Sequence, residues 1–319
     1  MPTLVRRLTA VLGTLGLAAG ALTACGDDAR PRAASPGTKP ATTASPSPTK
    51  PAVPPVKAAT RGGYVALGDS FTSGSGSGSC GRSGSAYPHL VAGRFDFAAK
   101  PAYAACTGAT AAGITGLEGG HPPQVYAVTR RASLVTLQIG GNDLGFTTVL
   151  ATCVLQSPGS SACRAQEPDV RHRLSALRTT LRGAIARIRA AAPRARVLLL
   201  GYPHLFPYRP KWRTAELAPR DQRWLNDMTN LLNTALRATA KRADAKAEDG
   251  TGSVEYVDVT AAFNNHELGR ADPYVHDLNV DYQNLTVGPE SFHPTGTGQK
   301  KLAERVERQV RNGPGQPLH

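Results

Sequence analysis

The sequence predicts an α/β domain built on parallel strands, and three observations carry that prediction. Short apolar runs of strand length recur at residues 64–67, 134–139, 197–200 and 254–259. Long helical patterns separate the last three. Residues 171–192 place Leu174, Leu177, Leu181, Ile185 and Ile188 at helical spacing, and after Pro219 come Trp224, Leu225, Met228, Leu231, Leu232 and Leu236. Beyond about Gly62 neither a linker nor an internal repeat interrupts the pattern, and the segment is long enough for one large domain. Strands that alternate with helices pair in parallel through right-handed crossovers, and such sheets gather ligands beyond the carboxyl ends of their strands.

Residues 1–24 read as a secretory signal. Arg6 and Arg7 precede an apolar stretch of small side chains too short for a comfortable membrane span, and Leu22-Thr23-Ala24-Cys25 closes it. That tetrapeptide resembles the bacterial lipobox, which implies that Cys25 is lipidated and begins the mature chain of an extracytoplasmic, membrane-anchored lipoprotein. Ordinary cleavage near Ala24 is the alternative. A cysteine kept directly behind such a tripeptide in an exported protein favours lipidation. More than one acyl chain is needed for a firm anchor, since burial gives about 0.8 kcal/mol per CH₂. Residues 26–61 are Pro, Ala, Ser and Thr with scattered charge, so they cannot bury enough apolar surface to offset ordering. The stretch 25–61 is then a lipidated cysteine and a disordered tether, which if extended reaches on the order of 100 Å. The folded domain is 62–319.

The formal net charge is +14, of which Arg6 and Arg7 supply two. Much of the excess sits in RHRLSALRTTLRGAIARIRAAAPRAR, where the arginines occupy helix faces other than the apolar one. A solvated face explains this run, and export argues against nucleic acid as a partner. Attraction to an anionic envelope surface is intermediate between the two. Four cysteines follow Cys25, namely Cys80, Cys106, Cys153 and Cys163, at spacings that match no zinc pattern. An even number in an exported domain favours disulfides, and four cysteines allow three pairings; Cys80 with Cys106 and Cys153 with Cys163 are the local ones.

Two predicted strand ends carry chemistry: Gly68-Asp69-Ser70 after the first run and Gly140-Gly141-Asn142-Asp143 after the second. The serine does not sit in G-x-S-x-G, the Gly-Ser run behind it lacks G-K-[ST], and H-E-x-x-H is absent. Gly68-Asp69-Ser70, Gly108 in CTGAT, Gly140-Gly141-Asn142-Asp143 and His293-Pro294 in ESFHPTGTGQ, in that order, resemble the four blocks of the SGNH (GDSL) hydrolase family. The likeness is to its secreted actinobacterial esterase and lipase branch, which shares YVALGDS, a cysteine before the second-block glycine, and Tyr202-Pro203. The resemblance implies a three-layer α/β/α fold with a central, mostly parallel five-stranded, flavodoxin-like sheet. It also implies a serine hydrolase that cleaves carboxylic acyl esters or lipids. A polysaccharide O-acetyl esterase is the alternative within enzymes, and a non-catalytic envelope-binding lipoprotein is the alternative outside them. No cofactor or metal is expected. The expected partners are an ester substrate and, through the anchor, a membrane, with the chain a monomer.

Ester hydrolysis needs a nucleophile, a base to take its proton, and donors for the oxyanion. Ser70 is the candidate nucleophile and His293 the candidate base. The Ser70 and Gly108 backbone N–H groups and the Asn142 side-chain amide are the candidate oxyanion donors; a side chain at residue 108 would obstruct approach to its N–H. Asp69 and Asp143 are expected to organise their loops through side-chain hydrogen bonds, and His204, His266 and His276 to be structural. Where the family has aspartate three residues before the histidine, this chain has Glu290. The resemblance offers the Ser291 carbonyl as the group that orients His293; Glu290, or a distant Asp277 or Asp281, is the alternative. Ser73 to Ser79 and residues 143–169 are expected to border an acyl pocket.

Overall fold

The computed structural model describes residues 58–318 apart from 158–159, 212–213, 215, 246–250, 282 and 284–285. The expected signal, lipidated Cys25 and nearly all of the tether lie outside the described residues. The folded part starts before the expected residue 62, because Ala58–Thr60 form a strand that pairs with Phe95–Phe97. In chain order the strands are β1 (Ala58–Thr60), β2 (Gly63–Gly68), β3 (Phe95–Phe97), β4 (Ala102–Tyr103), β5 (Ala132–Gln138), β6 (Arg196–Leu200), β7 (Val254–Val257), β8 (Val280–Asp281) and β9 (Thr286–Val287). The α-helices are α1 (Ser70–Ser73), α2 (Tyr87–Ala92), α3 (Phe146–Leu155), α4 (Glu167–Ala191), α5 (Pro219–Asp244), α6 (Thr260–Phe263) and α7 (Gly296–Asn312).

Five strands form the central sheet in the order β4-β2-β5-β6-β7, with every neighbouring pair parallel. β2, β5 and β6 are buried along their whole length, as parallel strands covered on both faces must be. α4 packs with α5, and α2 with α7, giving the helical layers that flank the sheet. The chain leaves β2 for β4 on one side and then crosses to β5 on the other. That reversal opens a crevice beyond the carboxyl ends of β2 and β5.

α4 buries Val170, Leu174, Leu177, Leu181, Ala184, Ile185 and Ile188 on one face and leaves Arg178, Arg182 and Arg187 exposed. Its half-buried arginines are used locally: Arg173 donates to the Leu144 carbonyl at 3.0 Å and Arg189 to that of Ala243 at 2.9 Å.

The structure extends the sequence reading in two places. β4 is only two residues long, too short to show any periodicity, and owes its existence to pairing with β2. β6 begins at Arg196, a charge that reads as a strand boundary. Its guanidinium is instead buried against Glu255 of β7 by two bonds of 2.9 Å, and it also donates to the Val310 carbonyl at the end of α7. With both partners only 3% exposed, removing either would leave an uncompensated buried charge.

Both disulfides join the local pairs, Cys80 to Cys106 and Cys153 to Cys163. The second ties the end of α3 to the turn before α4, across a separation of 10 residues. Replacing Cys153 and Cys163 together by alanine is expected to lower unfolding free energy by about 2 to 3 kcal/mol, the loop-closure term for such a ring, read as a lowered denaturant midpoint.

Candidate active site

The carboxyl end of β2 is shaped by a glycine that cannot be replaced cheaply. Gly68 has φ +143°, and a Cβ there would lie 2.3 Å from the Gln138 carbonyl oxygen of β5. Its N–H donates to Gln124 Oε1 at 2.8 Å and its carbonyl accepts from Gln124 Nε2 at 2.9 Å, so one buried amide fixes the peptide groups on both sides of Gly68. Asp69 then caps α1, accepting the Phe71 N–H at 3.0 Å, and also accepts a short hydrogen bond from the Tyr202 hydroxyl. Burial pushes the Asp69 carboxyl up to about 7 despite these bonds. Ser70, the first residue of α1, is 7% exposed and faces the crevice.

His293 comes from the far end of the chain, two residues before Thr295, whose side chain caps α7 by accepting from Gly298 N. Its Nε2 lies 2.7 Å from Ser70 Oγ, and its Nδ1 lies 3.0 Å from the Ser291 carbonyl oxygen. A proton on Nδ1 donated to that carbonyl leaves the Nε2 lone pair free to accept from the serine hydroxyl. Burial lowers the His293 pKa below the ordinary 6.5, opposed by the Ser291 carbonyl, so the ring is neutral at pH 7. The Phe71 ring, 5.4 Å away, packs beside it.

Glu290 is turned elsewhere. Its Oε1 accepts from Asn279 Nδ2 at 2.8 Å, a bond that holds its pKa below the ordinary carboxylate value. Asn279 N also donates to Ser291 Oγ at 2.9 Å, so this asparagine braces the segment that presents the carbonyl. The Asp277 carboxylate accepts the neighbouring Leu278 N–H at 2.7 Å, and the side chain of Asp281 lies outside the described residues.

Gly108 and Asn142 line the same cavity as Ser70 and His293. Gly108 has φ +82°, and a Cβ there would meet nothing within 4 Å, so backbone conformation as well as clear access calls for glycine. Three side chains grip the residues that follow. Asn142 Nδ2 donates to the Ala109 carbonyl at 2.9 Å, Glu118 accepts the Thr110 N–H at 2.9 Å, and Asp143 accepts the Ala111 N–H through both oxygens at 3.1 and 3.0 Å. Burial pushes Asp143 up to about 6.

The cavity has a volume of about 280 Å³, and its remaining wall is mostly apolar: Phe146, Leu150 and Val154 of α3, Leu205, Leu232 of α5, and Leu278. Of the expected segment 143–169, the stretch from Phe146 to Val154 borders it, and Ser73 to Ser79 do not. Ser73 Oγ instead pairs with Thr107 Oγ1 at 2.9 Å, and the glycines beyond it turn back on Arg82 and Gly81. His204 bonds to Asn230 and His266 stacks on Tyr274, both away from the cavity. Gln124, Glu118, Asn279 and the Tyr202 hydroxyl escape sequence reading, because each acts through a backbone group or a partner far along the chain.

Residues 66–301 match the profile of the GDSL-like Lipase/Acylhydrolase family. The chain is 35% identical over 249 residues to Lipase 1 of Streptomyces coelicolor, covering 74% of this chain and 82% of the relative. It is 34% identical over 251 residues to a lipase of Streptomyces rimosus, covering 75% and 82%. Among solved structures, the extracellular lipase of Streptomyces rimosus superposes with a TM-score of 0.66 at 29% identity, covering 77% of this chain and 98% of that one. The phospholipase A1 of Streptomyces albidoflavus superposes with a TM-score of 0.64 at 32% identity, with the same coverage.

The orientation of Glu290 gives a direct test. Glu290→Gln is expected to leave the rate of Ser70 labelling by a fluorophosphonate within a few-fold of the parent. A fall on the order of 10³-fold or more, of the kind that follows loss of an orienting acid, would assign that role to Glu290.

Proposed function

We propose that this chain, which belongs to the GDSL-like lipase/acylhydrolase family and is a carboxylic ester hydrolase, cleaves acyl esters of lipids outside the cell through a Ser70–His293 acyl-enzyme. The observation that carries this reading is the 2.7 Å approach of Ser70 Oγ to His293 Nε2 in the wall of an apolar cavity. An isolated hydroxyl is a poor nucleophile at neutral pH, and a neutral imidazole within hydrogen-bond reach removes that obstacle.

In this mechanism Ser70 Oγ attacks the ester carbonyl carbon while its proton passes to His293 Nε2. The carbonyl π pair becomes an oxyanion, met by the Ser70 and Gly108 backbone N–H groups and by Asn142. One amide hydrogen of Asn142 Nδ2 is committed to Ala109, and the other remains for the oxyanion. Each such donor is worth roughly 2.7 to 4 kcal/mol in the transition state. Collapse expels the alcohol, which takes the proton from Nε2. A water then attacks the acyl carbon while giving a proton to Nε2, and collapse of this second intermediate breaks the bond to Ser70 Oγ, which takes the proton back from Nε2 as the acid leaves. The Ser291 carbonyl holds the ring and faces the positive charge it gains in each step.

The walls support an acyl chain longer than acetyl, because each buried methylene contributes about 0.8 kcal/mol. An O-acetyl esterase acting on polysaccharide would leave Leu150, Val154 and Leu232 without a substrate group to cover. The similarity to a Streptomyces coelicolor lipase and a Streptomyces albidoflavus phospholipase A1 supports lipid esters. Lipidation at Cys25 and a Pro-rich tether over residues 26–57 would hold such an enzyme at the outer face of the membrane as a monomer.

Ser70→Ala is expected to abolish turnover of p-nitrophenyl esters with the melting temperature retained; persistent turnover would overturn the serine mechanism. Across acetyl to palmitoyl esters, kcat/KM should rise beyond acetyl, and an optimum at acetyl would favour the O-acetyl esterase instead. Cys25→Ser should move the protein out of the membrane fraction, and unchanged partitioning would remove the lipid anchor.

A further inference from the structure

We infer that the Tyr202 hydroxyl is a positioning group that sets the distance between the nucleophile and the oxyanion-binding amide, by joining the loops that carry Ser70 and Asn142. The hydroxyl donates to Asp69 Oδ2 and accepts from the Gly141 N–H at 3.3 Å. Each of these partners stands one residue before a group at the centre of the proposed chemistry: Asp69 before Ser70, and Gly141 before Asn142. One oxygen atom therefore touches both strand-end loops.

The tyrosine can bear this role because it is itself fixed. It follows the carboxyl end of β6 by two residues, and its main chain is clasped on both sides by Asn233 of α5, with Tyr202 N to Asn233 Oδ1 and Asn233 Nδ2 to Tyr202 O both at 2.8 Å. The ring is 6% exposed. It packs edge-on against Phe71 at 5.1 Å, and Phe71 in turn flanks His293. Gly141 lies beside the ring, where a Cβ would make an ordinary van der Waals contact of 3.6 Å with Tyr202 Cε1. Displacing the hydroxyl frees Asp69 Oδ2 on one side and the Gly141 N–H on the other, and the two loops lose their only shared polar contact among the described residues apart from the Asp69 N–H to Gln138 carbonyl bond at the carboxyl ends of β2 and β5.

The inference rests on Asn142 acting as an oxyanion donor, so the test separates the two ideas. Tyr202→Phe keeps the ring and its packing and removes only the oxygen. It is expected to lower kcat by about 10- to 100-fold with KM within about twofold, the pattern of an interaction needed only in the transition state. The inhibition constant of an alkyl trifluoromethyl ketone, whose carbonyl carbon bonds Ser70 Oγ and whose oxygen becomes the oxyanion, should weaken in parallel. That of the matching alkyl amide, which forms no such adduct, should not. In an Asn142→Ala background the Tyr202→Phe loss should shrink, because the amide it positions is gone.

Equal losses from Tyr202→Phe in both backgrounds, with Asn142→Ala itself costly, would overturn the inference and leave the oxyanion reading intact. Equal weakening of ketone and amide would overturn it too, by pointing to a general loosening of the cavity. No effect of Asn142→Ala on kcat would overturn the oxyanion reading and the inference with it. If Tyr202→Phe does not fold, Asp69→Asn carries the same cycle. Its single amide oxygen cannot accept from both the Phe71 N–H and the Tyr202 hydroxyl in the carboxylate's geometry, and the same coupling or additivity decides the matter.

Discussion

The site depends on how the two central strands finish. β2 and β5 run in register to Gly68 opposite Gln138, and the Asp69 N–H then donates to the Gln138 carbonyl at 3.0 Å. The close approach of that carbonyl is tolerated because residue 68 has no Cβ and adopts φ +143°. This contact turns the chain out of the sheet one residue before the serine and brings the loop after β5 alongside. Because the strand order reverses here, no strand covers the crevice, and the space becomes a cavity.

Around that crevice the fold holds buried and half-buried carboxylates whose oxygens serve the backbone. Asp69, Asp143 and Glu118 each accept backbone N–H groups, at Phe71, Ala111 and Thr110. Burial, aided by the neighbouring negative charges of Asp143 on Asp69 and of Glu118 on Asp143, pushes Asp69 up to about 7 and Asp143 up to about 6. Loops of glycine and small residues have little apolar surface with which to hold themselves, so hydrogen bonds donated by their backbone N–H groups to acidic side chains hold them instead.

The histidine is treated differently. A carbonyl rather than a carboxylate faces Nδ1, so the ring is oriented by a dipole instead of a full negative charge. Desolvation then outweighs the stabilisation of the imidazolium, and the ring stays neutral and ready to accept a proton. Glu290, one methylene longer than the family's aspartate, is taken up by Asn279 and stabilises the turn that offers the Ser291 carbonyl.

Much was fixed by local sequence. The apolar runs and the 3.6-residue spacing of Leu174, Leu177, Leu181, Ile185 and Ile188 determined parallel strands and a helix with one buried face, since burial of a periodic pattern is a local property. The order of Gly68-Asp69-Ser70, Gly108, Gly140-Gly141-Asn142 and His293 named the residues that the fold gathers, because close backbone approaches and strand-end turns leave glycine and aspartate signatures. Other features existed only in three dimensions. The two-residue β4 and the buried pairing of Arg196 with Glu255 depend on neighbouring strands. Which group faces His293 Nδ1 was decided by a bond from Asn279, eleven residues before Glu290. The grip of Gln124 on Gly68 and of Tyr202 on Asp69 spans separations of 56 and 133 residues, and no local pattern encodes a partner that only the packing of the sheet brings within hydrogen-bond distance.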